Sequence, residues 1–239
     1  MRVTNSVYVL SGSYYGAVGN RDVLGDVYGV LTEKGLILID CGIPGAGSAM
    51  IRETLDYYGI EAPVTHVLIT HAHFDHVGSA KEFQEAGAMI VVGRGDVKHC
   101  VEGGFGEQPT PFRLSHAFPA FEPDIVIDED CVIDLNGLSF HFYTTPGHTA
   151  GCICIAVELD GKKVLFSGDA VQPSGGQIDA VGLGWQGDTN FSRKDIVESM
   201  LKLMELDVDM VLPGHGKVCL RNGSALLRLA AETAFLTLR

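Results

Sequence analysis

Short apolar runs and alternating apolar and polar residues recur in two parts of the chain, and in each part they predict strands followed by helices. In the first part, β-rich runs are separated by turns that contain glycine, which is typical of strands. These runs are SVYVL, VYGVLTEKG, LILIDCG, VTHVLIT and AMIVVG. The segment GAGSAMIRETLDYYG predicts a helix that ends at Gly59, and GSAKEFQEAG predicts another helix.

The second part repeats this order. Its four strand-like runs are CVIDL, LSFHFYTT, CICIAVEL and KKVLFSGD, and the pair Asp160-Gly161 between the last two predicts a tight hairpin turn. A helix over SRKDIVESMLKLMEL, a short strand in DMVLPGHG and a final helix over SALLRLAAETAFLTL complete the pattern. Two similar β-α layers that pack together are the architecture this pattern favours.

Two glycine-rich segments lack such periodicity, namely residues 94–124 and 172–187. Long segments without an element of their own commonly serve as lids or binding loops. We expect both to border a substrate cleft and to set specificity.

Composition narrows the class of protein. We interpret residues 1–239 as a single domain, because a chain of this length can bury a substantial core. No apolar run approaches the roughly 20 residues of a membrane-spanning helix, and the opening MRVTNSVYVLSGS predicts a strand rather than a signal peptide. The formal net charge of -13 would repel the phosphates of nucleic acid. We therefore expect neither a membrane nor a nucleic acid as a partner.

The six cysteines are scattered and include no CxxC pair. Cys152 and Cys154 alternate along a predicted strand, so they share a face but are poorly placed to bond each other. We interpret all six as reduced thiols of a cytoplasmic protein.

Candidate chemistry is concentrated in the segment THAHFDHVG, where three histidines and an aspartate fall within six positions. Such groups are costly to bury without a partner. Three more candidates lie beside glycine or proline at predicted strand ends, in TTPGHTAG, LFSGDA and VLPGHG. Imidazole and carboxylate together suit zinc, iron or manganese, and two-metal sites use such mixed sets. The seven candidates are His71, His73, Asp75, His76, His148, Asp169 and His215.

The order HxHxDH, followed by a distant His, Asp and His, closely resembles the metallo-β-lactamase superfamily. The segments ILIDCG and TPGHTAG agree with it, and the resemblance extends from residue 7 to residue 216. It implies an α+β fold, a four-layer αββα sandwich in which two mixed β-sheets are flanked by helices.

The resemblance also implies a dinuclear metal site. A hydroxide between two divalent metal ions would attack an ester-like carbonyl, and Asp75 would orient this hydroxide and accept its proton. Zinc is the expected metal, with iron and manganese as alternatives. The implied ligands are His71, His73 and His148 for the first ion, Asp75, His76 and His215 for the second, and Asp169 as a bridge.

Other polar residues receive weaker interpretations. We expect Asp40, which ends LILID, to hold a ligand by a hydrogen bond rather than to bind metal itself, and we expect Cys41 beside it to be inert. Tyr14 and Tyr15 could reach the mouth of a cleft, although surface tyrosines are common. A structural role is the simplest interpretation of the remaining histidines, which are His66, His99, His116 and His141.

Within the superfamily, the motifs are most similar to those of glyoxalase II-like thioester hydrolases. The chain ends soon after His215, with room for one helix rather than for the helical glutathione-binding domain of the full-length enzymes. The thioester class therefore stands, while the carrier of the acyl group stays open.

Two alternatives also stay open. A lactonase of the acyl-homoserine-lactone type shares all seven ligands, but usually has a tyrosine shortly after the bridging aspartate, where this chain has Ala170, Val171 and Gln172. A persulfide dioxygenase would instead hold one iron ion. The presence of Asp169 argues against a β-lactamase proper, His73 argues against a flavodiiron protein, and the negative charge argues against an RNase Z-type nuclease.

The expected partner is a small-molecule substrate. An anionic group on it would need local recognition, for which Arg94, Lys98 and Arg113 are available in or beside the first glycine-rich segment. The oligomeric state is left open, with a homodimer among the options.

Overall fold

The computed structural model describes residues 1–12, 24–104, 116–173, 181–187 and 190–238. The chain divides into two compact units. Unit 1 consists of Met1–Val92 and Asp96–Val126, and unit 2 consists of Gly93–Gly95 and Ile127–Arg239. The interpretation of residues 1–239 as one domain stays a prediction.

The first sheet has six strands whose spatial order follows the chain. They are β1 (Val7–Ser11), β2 (Val27–Thr32), β3 (Gly35–Ile39), β4 (Val64–Leu68), β5 (Met89–Gly93) and β6 (Ile125–Ile127). Strands β1 to β3 pair antiparallel, whereas β3, β4 and β5 run parallel. The helices in this part are α1 (Gly47–Tyr58), α2 (Phe74–Val77), α3 (Ala80–Glu85) and α4 (Val97–Glu102).

The apolar residues of these elements form one core in unit 1. Every residue of β1 and β3 is buried, as expected for strands that are covered on both faces. Helix α1 contributes Ile51 and Leu55 to this core. It ends at Gly59, whose φ of 64° is left-handed, a conformation that glycine adopts at low steric cost. The predicted end of this helix is confirmed.

The second sheet has the strand order β13-β10-β9-β8-β7. Its members are β7 (Cys131–Leu135), β8 (Leu138–Thr144), β9 (Ile153–Leu159), β10 (Lys162–Gly168) and β13 (Met210–Pro213). Strands β10 and β13 run parallel, and the other pairs are antiparallel. A small separate pair is formed by β11 (Gln172–Pro173) and β12 (Val181–Gly182), and the helices are α5 (Arg193–Leu203) and α6 (Gly223–Leu238).

Local chemistry explains how the elements of unit 2 begin and end. Asp160 and Gly161 join β9 to β10 with φ values of 53° and 70°, which is the backbone that a two-residue hairpin requires. Helix α5 begins after Ser192, whose hydroxyl accepts a hydrogen bond from the amide of Asp195 at 3.3 Å. Across the described ranges, no helix has the length and apolar character that crossing a bilayer requires.

The segment 94–124 contains a helix that the sequence pattern did not predict. Helix α4 buries only His99 and Cys100, so its apolar face is too short to produce a visible helical period. The expectation of an irregular segment is therefore wrong for Val97–Glu102. Residues 105–115 and 174–180, which belong to the two predicted cleft segments, lie outside the described residues.

All six cysteines are free thiols, as predicted. Four of them are buried. Burial raises the pKa of Cys154 to about 12, and burial together with the neighbouring Asp40 raises the pKa of Cys41 well above its usual value. These two groups therefore stay protonated at neutral pH, while the cytoplasmic location stays a prediction.

Candidate metal centre

Four predicted ligands lie together in unit 1. We call His71, His73, Asp75 and His76 the first ligand cluster. Because β3, β4 and β5 are parallel neighbours, their carboxyl ends share one edge of the sheet. The loop after β4 places His71 and His73 at this edge, and α2 follows directly with Asp75 and His76. Three of the four are buried, and His73 is partly exposed.

The imidazole rings of the first cluster lie against one another. The Nε2 atom of His71 is 3.0 Å from the Nδ1 atom of His73, and the ring centroids of His71 and His76 are 4.1 Å apart. The Oδ2 atom of Asp75 lies 3.7 Å from the Nε2 atom of His76. Ring nitrogens that approach this closely must share a proton or a cation, because two facing lone pairs repel each other.

A buried carboxylate orients two of these rings. Asp40 follows β3 at the same sheet edge, and its Oδ2 atom accepts hydrogen bonds from His76 Nδ1 and Thr70 Oγ1, both at 2.8 Å. Its Oδ1 atom accepts from the Thr70 amide at 2.7 Å. Since the Thr70 hydroxyl donates to Asp40, it can accept from His71 Nδ1 at 3.1 Å. The expected hydrogen bond from a predicted ligand to Asp40 is confirmed.

A second buried carboxylate fixes the turn between two of the histidines. Asp96 lies just beyond β5 and is wholly buried. Its Oδ2 atom accepts a hydrogen bond from the amide of Ala72 at 2.8 Å. Because Ala72 separates His71 from His73, this bond sets the backbone from which both imidazoles project.

His76 is further confined by its backbone and by a glycine. The amide of Cys41 donates to the His76 carbonyl at 2.7 Å, and the thiol of Cys41 donates to the same oxygen at 3.2 Å. A Cβ atom at Gly25 would lie 2.9 Å from His76 Nε2 and 2.9 Å from the carbonyl oxygen of Asp75. A side chain at position 25 would therefore displace the ring.

The other three predicted ligands lie together in unit 2. We call His148, Asp169 and His215 the second ligand cluster. Asp169 follows β10 and His215 follows β13, and the carboxyl ends of these strands meet because the strands are parallel neighbours. His148 lies in the turn between β8 and β9. The Oδ2 atom of Asp169 is 3.4 Å from His148 Nε2 and 3.6 Å from His215 Nε2, so one carboxylate oxygen faces both imidazoles.

The turn that carries His148 is fixed against α5. Gly147 has a φ of 143°, and a Cβ atom there would lie 2.5 Å from the backbone of Ile196, so only glycine allows this approach. The amide of Ser192 donates to the Gly147 carbonyl at 2.8 Å, and the hydroxyl of Ser199 donates to the Pro146 carbonyl at 2.7 Å.

The ring of His148 is oriented by the backbone of residues 184 and 185. Its Nδ1 atom lies 3.2 Å from the carbonyl oxygen of Trp185. A carbonyl can only accept, so Nδ1 carries the proton and the Nε2 lone pair faces Asp169. Gly184 has a φ of 75°, and a Cβ atom there would lie 2.7 Å from both His148 Nδ1 and the Asp169 carbonyl oxygen.

Both clusters have the chemistry of metal ligands. In His71, His76 and His148, the hydrogen-bond partners assign the proton to Nδ1 and leave the Nε2 lone pair available. The three partners are a hydroxyl, a carboxylate and a backbone carbonyl, and metal-binding histidines are commonly oriented in this way. Zinc, iron and manganese all accept imidazole and carboxylate donors.

The other predicted residues occupy varied positions. Arg94 is ion-paired with Asp128, with Nε and Oδ1 2.6 Å apart, and its hydrogen bond lowers the pKa of Asp128. Its guanidinium therefore already has an anionic partner in unit 2. Lys98 is exposed on α4. Tyr14, Tyr15 and Arg113 lie outside the described residues.

The four remaining histidines differ in their surroundings. His66 is partly buried on β4, where burial lowers its pKa, and His99 is buried on α4. His141 is exposed on β8. His116 packs edge-on against Phe74, with ring centroids 4.3 Å apart. Phe74 lies between His73 and Asp75 in the chain, so His116 borders the first ligand cluster.

Three supporting residues were not identified from the sequence. Thr70 and Asp96 follow parallel strands at the edge where the candidate ligands lie, and this position was a usable signal. Trp185 orients His148 through its carbonyl group, and every residue type has a carbonyl. No feature of the sequence could have revealed that contact.

Solved structures similar to this chain are metallo-β-lactamases. One is the metallo-β-lactamase with the HARLDQ motif from Cronobacter sakazakii, with a TM-score of 0.75 and 20% identity over 99% of this chain and 91% of that chain. Another is BJP-1, a subclass B3 enzyme of Bradyrhizobium japonicum, with a TM-score of 0.71 and 23% identity over 97% and 89%. The predicted fold class, α+β with two mixed sheets and flanking helices, is confirmed.

The family model of the metallo-β-lactamase superfamily matches residues 21–215, and the chain belongs to this superfamily. Hydroxyacylglutathione hydrolase GloC of Haemophilus influenzae is 29% identical over 77% of this chain and 81% of its own length. Acyl-coenzyme A thioesterase MBLAC2 of Gallus gallus is 35% identical over 75% and 68%. Membership supports a metal-dependent hydrolase at the level of the family.

Proposed function

We propose that this protein is a dinuclear metal-dependent hydrolase that cleaves thioesters. The observation that carries the proposal is the orientation of three histidines, each of which donates from Nδ1 to a fixed acceptor and presents Nε2 as a ligand. Such preorganised imidazoles are the expected arrangement of a metal site. Membership of the superfamily supports the extension to two metal ions.

The proposal assigns a role to every predicted ligand. The two ions are divalent and, in the first instance, zinc, with iron or manganese as the alternatives that the same donors accept. The ligands are His71, His73 and His148 for one ion, Asp75, His76 and His215 for the other, and Asp169 for both.

In this proposal the residues of the chain bind the metal ions, orient the ligands and accept a proton. When bound, the metal ions would supply a water molecule of lowered pKa and would polarise the substrate carbonyl. Asp75, which lies in the first turn of α2 and is 7% exposed, would accept a proton from the attacking water. His76, fixed by Asp40 and Cys41, holds its ring beside Asp75 during this transfer.

A thioester is the proposed substrate because two relatives are thioester hydrolases by name. One acts on hydroxyacylglutathione and the other on acyl-coenzyme A, so the thioester carbonyl is the part that their substrates share. The chain's charge of -13 disfavours an anionic carrier as the main source of affinity. The acyl group of the substrate should then contribute more to binding affinity than the carrier does.

Metal content and a substrate panel test the proposal together. Protein purified without a chelating tag should contain two divalent ions per chain and should hydrolyse thioesters faster than acyl-homoserine lactones. A preference for lactones would replace the thioesterase with a lactonase. A single iron ion, with oxygen consumption in the presence of a persulfide, would replace the hydrolase with a dioxygenase.

Variants of single ligands test the site itself. His71→Ala and Asp169→Ala should each lose turnover and bound metal together. His141→Ala is the matched control. His141 is exposed on β8, and its substitution removes an imidazole that is not among the proposed ligands. If His71→Ala and Asp169→Ala keep both metal and turnover, the assignment of the site is wrong.

A further inference from the structure

We propose that a small cavity beside Asp75 is the subsite for the acyl group of the substrate, so that the protein prefers thioesters with short, uncharged acyl chains. This inference rests on the proposed thioester hydrolase. It adds the acyl class of the substrate, namely acyl groups of the size of acetyl or propionyl.

The cavity lies within unit 1 and borders a proposed ligand. It is bounded by the end of β1, the residues before β2, the segment after β3, the first turn of α1, and Asp75 of α2. In the proposed function, Asp75 orients the attacking water and takes its proton. A group held in this cavity is therefore adjacent to a residue of the proposed metal centre.

Bare backbone forms much of the cavity wall. Four of the lining residues are glycines, namely Gly12, Gly25, Gly42 and Gly47. A Cβ atom at Gly42, whose φ is 74°, would lie 3.2 Å from the Cα atom of Gly47, so the backbone after β3 turns back closely on the start of α1. Four missing side chains therefore leave room beside Asp75.

The segment after β3 is fixed by a buried hydroxyl group. Ser79 is wholly buried, and its hydroxyl donates to the carbonyl of Ile43 at 2.9 Å and accepts from the amide of Ser48 at 3.1 Å. The same segment is tied to α2 by the hydrogen bond from the Cys41 amide to the His76 carbonyl. The wall to which Ile43 contributes is therefore held in place, as in a preformed binding site.

The chemistry of the lining selects an uncharged, mainly apolar group. Leu24, Ile43 and Met50 are its apolar side chains, and Ser11 and Asp75 are its polar ones. Among the described residues that line the cavity there is no lysine, arginine or histidine. A carboxylate or phosphate would therefore lie beside the Asp75 carboxylate without a cationic partner, which is costly, whereas an alkyl group gains free energy by leaving water.

The size of the cavity separates the acyl group from its carrier. The centre of a water-sized sphere can move within about 10 Å³ of it, which is room for one group as large as a water molecule or a methyl group. Glutathione and coenzyme A are far larger and anionic, so only the acyl side of a thioester can enter. Because one methylene too many or too few in an apolar pocket changes kcat/KM by about 10- to 200-fold, the cavity should set a sharp limit on acyl-chain length.

A chain-length series on an uncharged carrier tests this directly. S-acyl-N-acetylcysteamine thioesters with acetyl, propionyl, butyryl and hexanoyl groups share the carrier and differ only in acyl length. In the native protein, kcat/KM should be highest for acetyl or propionyl and should be lower by about tenfold or more for hexanoyl. A kcat/KM that stays level or rises toward hexanoyl would overturn the inference.

Enlarging the cavity should move this limit. Ile43→Ala and Met50→Ala each remove side-chain volume from the lining, so each should raise the ratio of kcat/KM for hexanoyl to that for acetyl about tenfold. The matched control is Ile60→Ala, which truncates another half-buried isoleucine of unit 1 that is not part of the lining. This control should keep the native ratio. A native ratio in both Ile43→Ala and Met50→Ala would refute the inference.

Binding can be followed without turnover by calorimetry. In ketone analogues a methylene replaces the thioester sulfur, so the acyl group is kept and cannot be hydrolysed. The native protein should bind the acetyl analogue more tightly than the hexanoyl analogue, and Ile43→Ala should weaken this preference. Equal affinities of the native protein for the two analogues would contradict the inference.

Metal content is measured on every variant, because the cavity borders a proposed ligand. If Ile43→Ala loses metal, Met50→Ala and Ile43→Val decide, since the latter removes a single methylene. A shifted chain-length profile with full metal supports the inference, and a native profile refutes it. Hydrolysis of every thioester at one rate would refute the inference alone, whereas hydrolysis of none would refute the proposed function.

Discussion

In the first ligand cluster, His71 and His76 are oriented by the side chains of Thr70 and Asp40, whereas in the second cluster His148 is oriented by the carbonyl group of Trp185. Both clusters lie where the carboxyl ends of parallel strands meet. The two clusters therefore occupy the same position relative to their strands. They differ in whether side chains or a backbone carbonyl group orient the imidazoles.

This difference determines which substitutions would disturb the imidazoles of each cluster. A side-chain acceptor is lost when one residue is replaced, and its removal leaves buried donors without a partner. A backbone carbonyl survives every such replacement, so the second cluster is vulnerable to a change in backbone shape.

Asp40→Ala should have the largest effect. It removes the acceptor of His76 Nδ1 and of both Thr70 donors. Breaking such a buried set should cost roughly 3 kcal/mol of the free energy of unfolding and should weaken metal binding about 100-fold. Denaturant unfolding and zinc titration of metal-free protein against a competing chelator measure the two effects.

The control for this prediction is Asp128→Ala, which removes an exposed carboxylate paired with Arg94. Exposed ion pairs contribute little to stability, so both stability and metal binding should stay close to native. If Asp40→Ala binds zinc within twofold of the native protein, side-chain support of the first cluster is not required.

Gly184→Ala should have the next largest effect, and it acts on the second cluster. The new Cβ atom would lie 2.7 Å from His148 Nδ1 in a backbone with a φ of 75°. We expect a loss of roughly 2 to 3 kcal/mol in stability, from steric crowding added to the left-handed backbone, and metal binding weakened more than tenfold.

Gly161→Ala separates the two causes. Gly161 has a φ of 70°, and a Cβ atom there would meet nothing within 4 Å. This variant should therefore lose only the about 1 kcal/mol that a left-handed alanine costs, with native metal affinity. Equal metal affinities in Gly184→Ala and Gly161→Ala would show that the backbone contact does not position His148.

Asp96 provides an intermediate case, in which a side chain of unit 1 supports a backbone amide. Asp96→Ala leaves the buried amide of Ala72 without its acceptor, which should cost about 1 to 2 kcal/mol of stability and weaken metal binding about tenfold. Asp96→Asn keeps a carbonyl oxygen that can accept the same bond, so it should recover most of the affinity. No recovery in Asp96→Asn would mean that the charge, rather than the hydrogen bond, matters.

The sequence predicted the parts of this molecule that depend on local pattern. The strands follow runs of apolar residues, and α1 and α5 follow the capping signals at Gly59 and Ser192. The seven candidate ligands could be identified because a motif groups four of them, while glycine or proline accompanies the other three.

What the sequence could not predict depends on tertiary contacts. Helix α4 was missed because only two of its residues are buried. Asp96 becomes a support only when the parallel pairing of β4 and β5 brings their carboxyl ends to one edge. Trp185 acts through its backbone, and Gly184 acts through the absence of a side chain, so neither contact depends on a recognisable side-chain group.

The smallest expected effect concerns a carboxylate near the second cluster. Asp130 accepts hydrogen bonds from the amide and hydroxyl of Thr144, at 2.8 and 2.9 Å, and from Lys202 Nζ at 2.9 Å. Thr144 ends the strand that leads into the His148 turn. The side chains of Lys202 and Asp130 are 39% and 41% exposed. This network is therefore the exposed counterpart of the buried Asp40 network.

Asp130→Asn tests whether an exposed side chain supports the second cluster. Partial burial raises the pKa of Asp130, but hydrogen bonds from Lys202 and Thr144 outweigh it, so the pKa is lowered overall. The stabilisation is then present above the unfolded pKa, near 3.9, and is lost as pH falls through the folded pKa. Because the pair is exposed, the free energies of unfolding of native protein and variant should differ by only about 0.5 kcal/mol at pH 6, and this difference should vanish in acid.

Zinc affinity of Asp130→Asn should stay within twofold of native, because Trp185 and Gly184 position His148. A tenfold loss of zinc affinity would show that the second cluster also depends on a side chain, and the contrast with the first cluster would no longer hold.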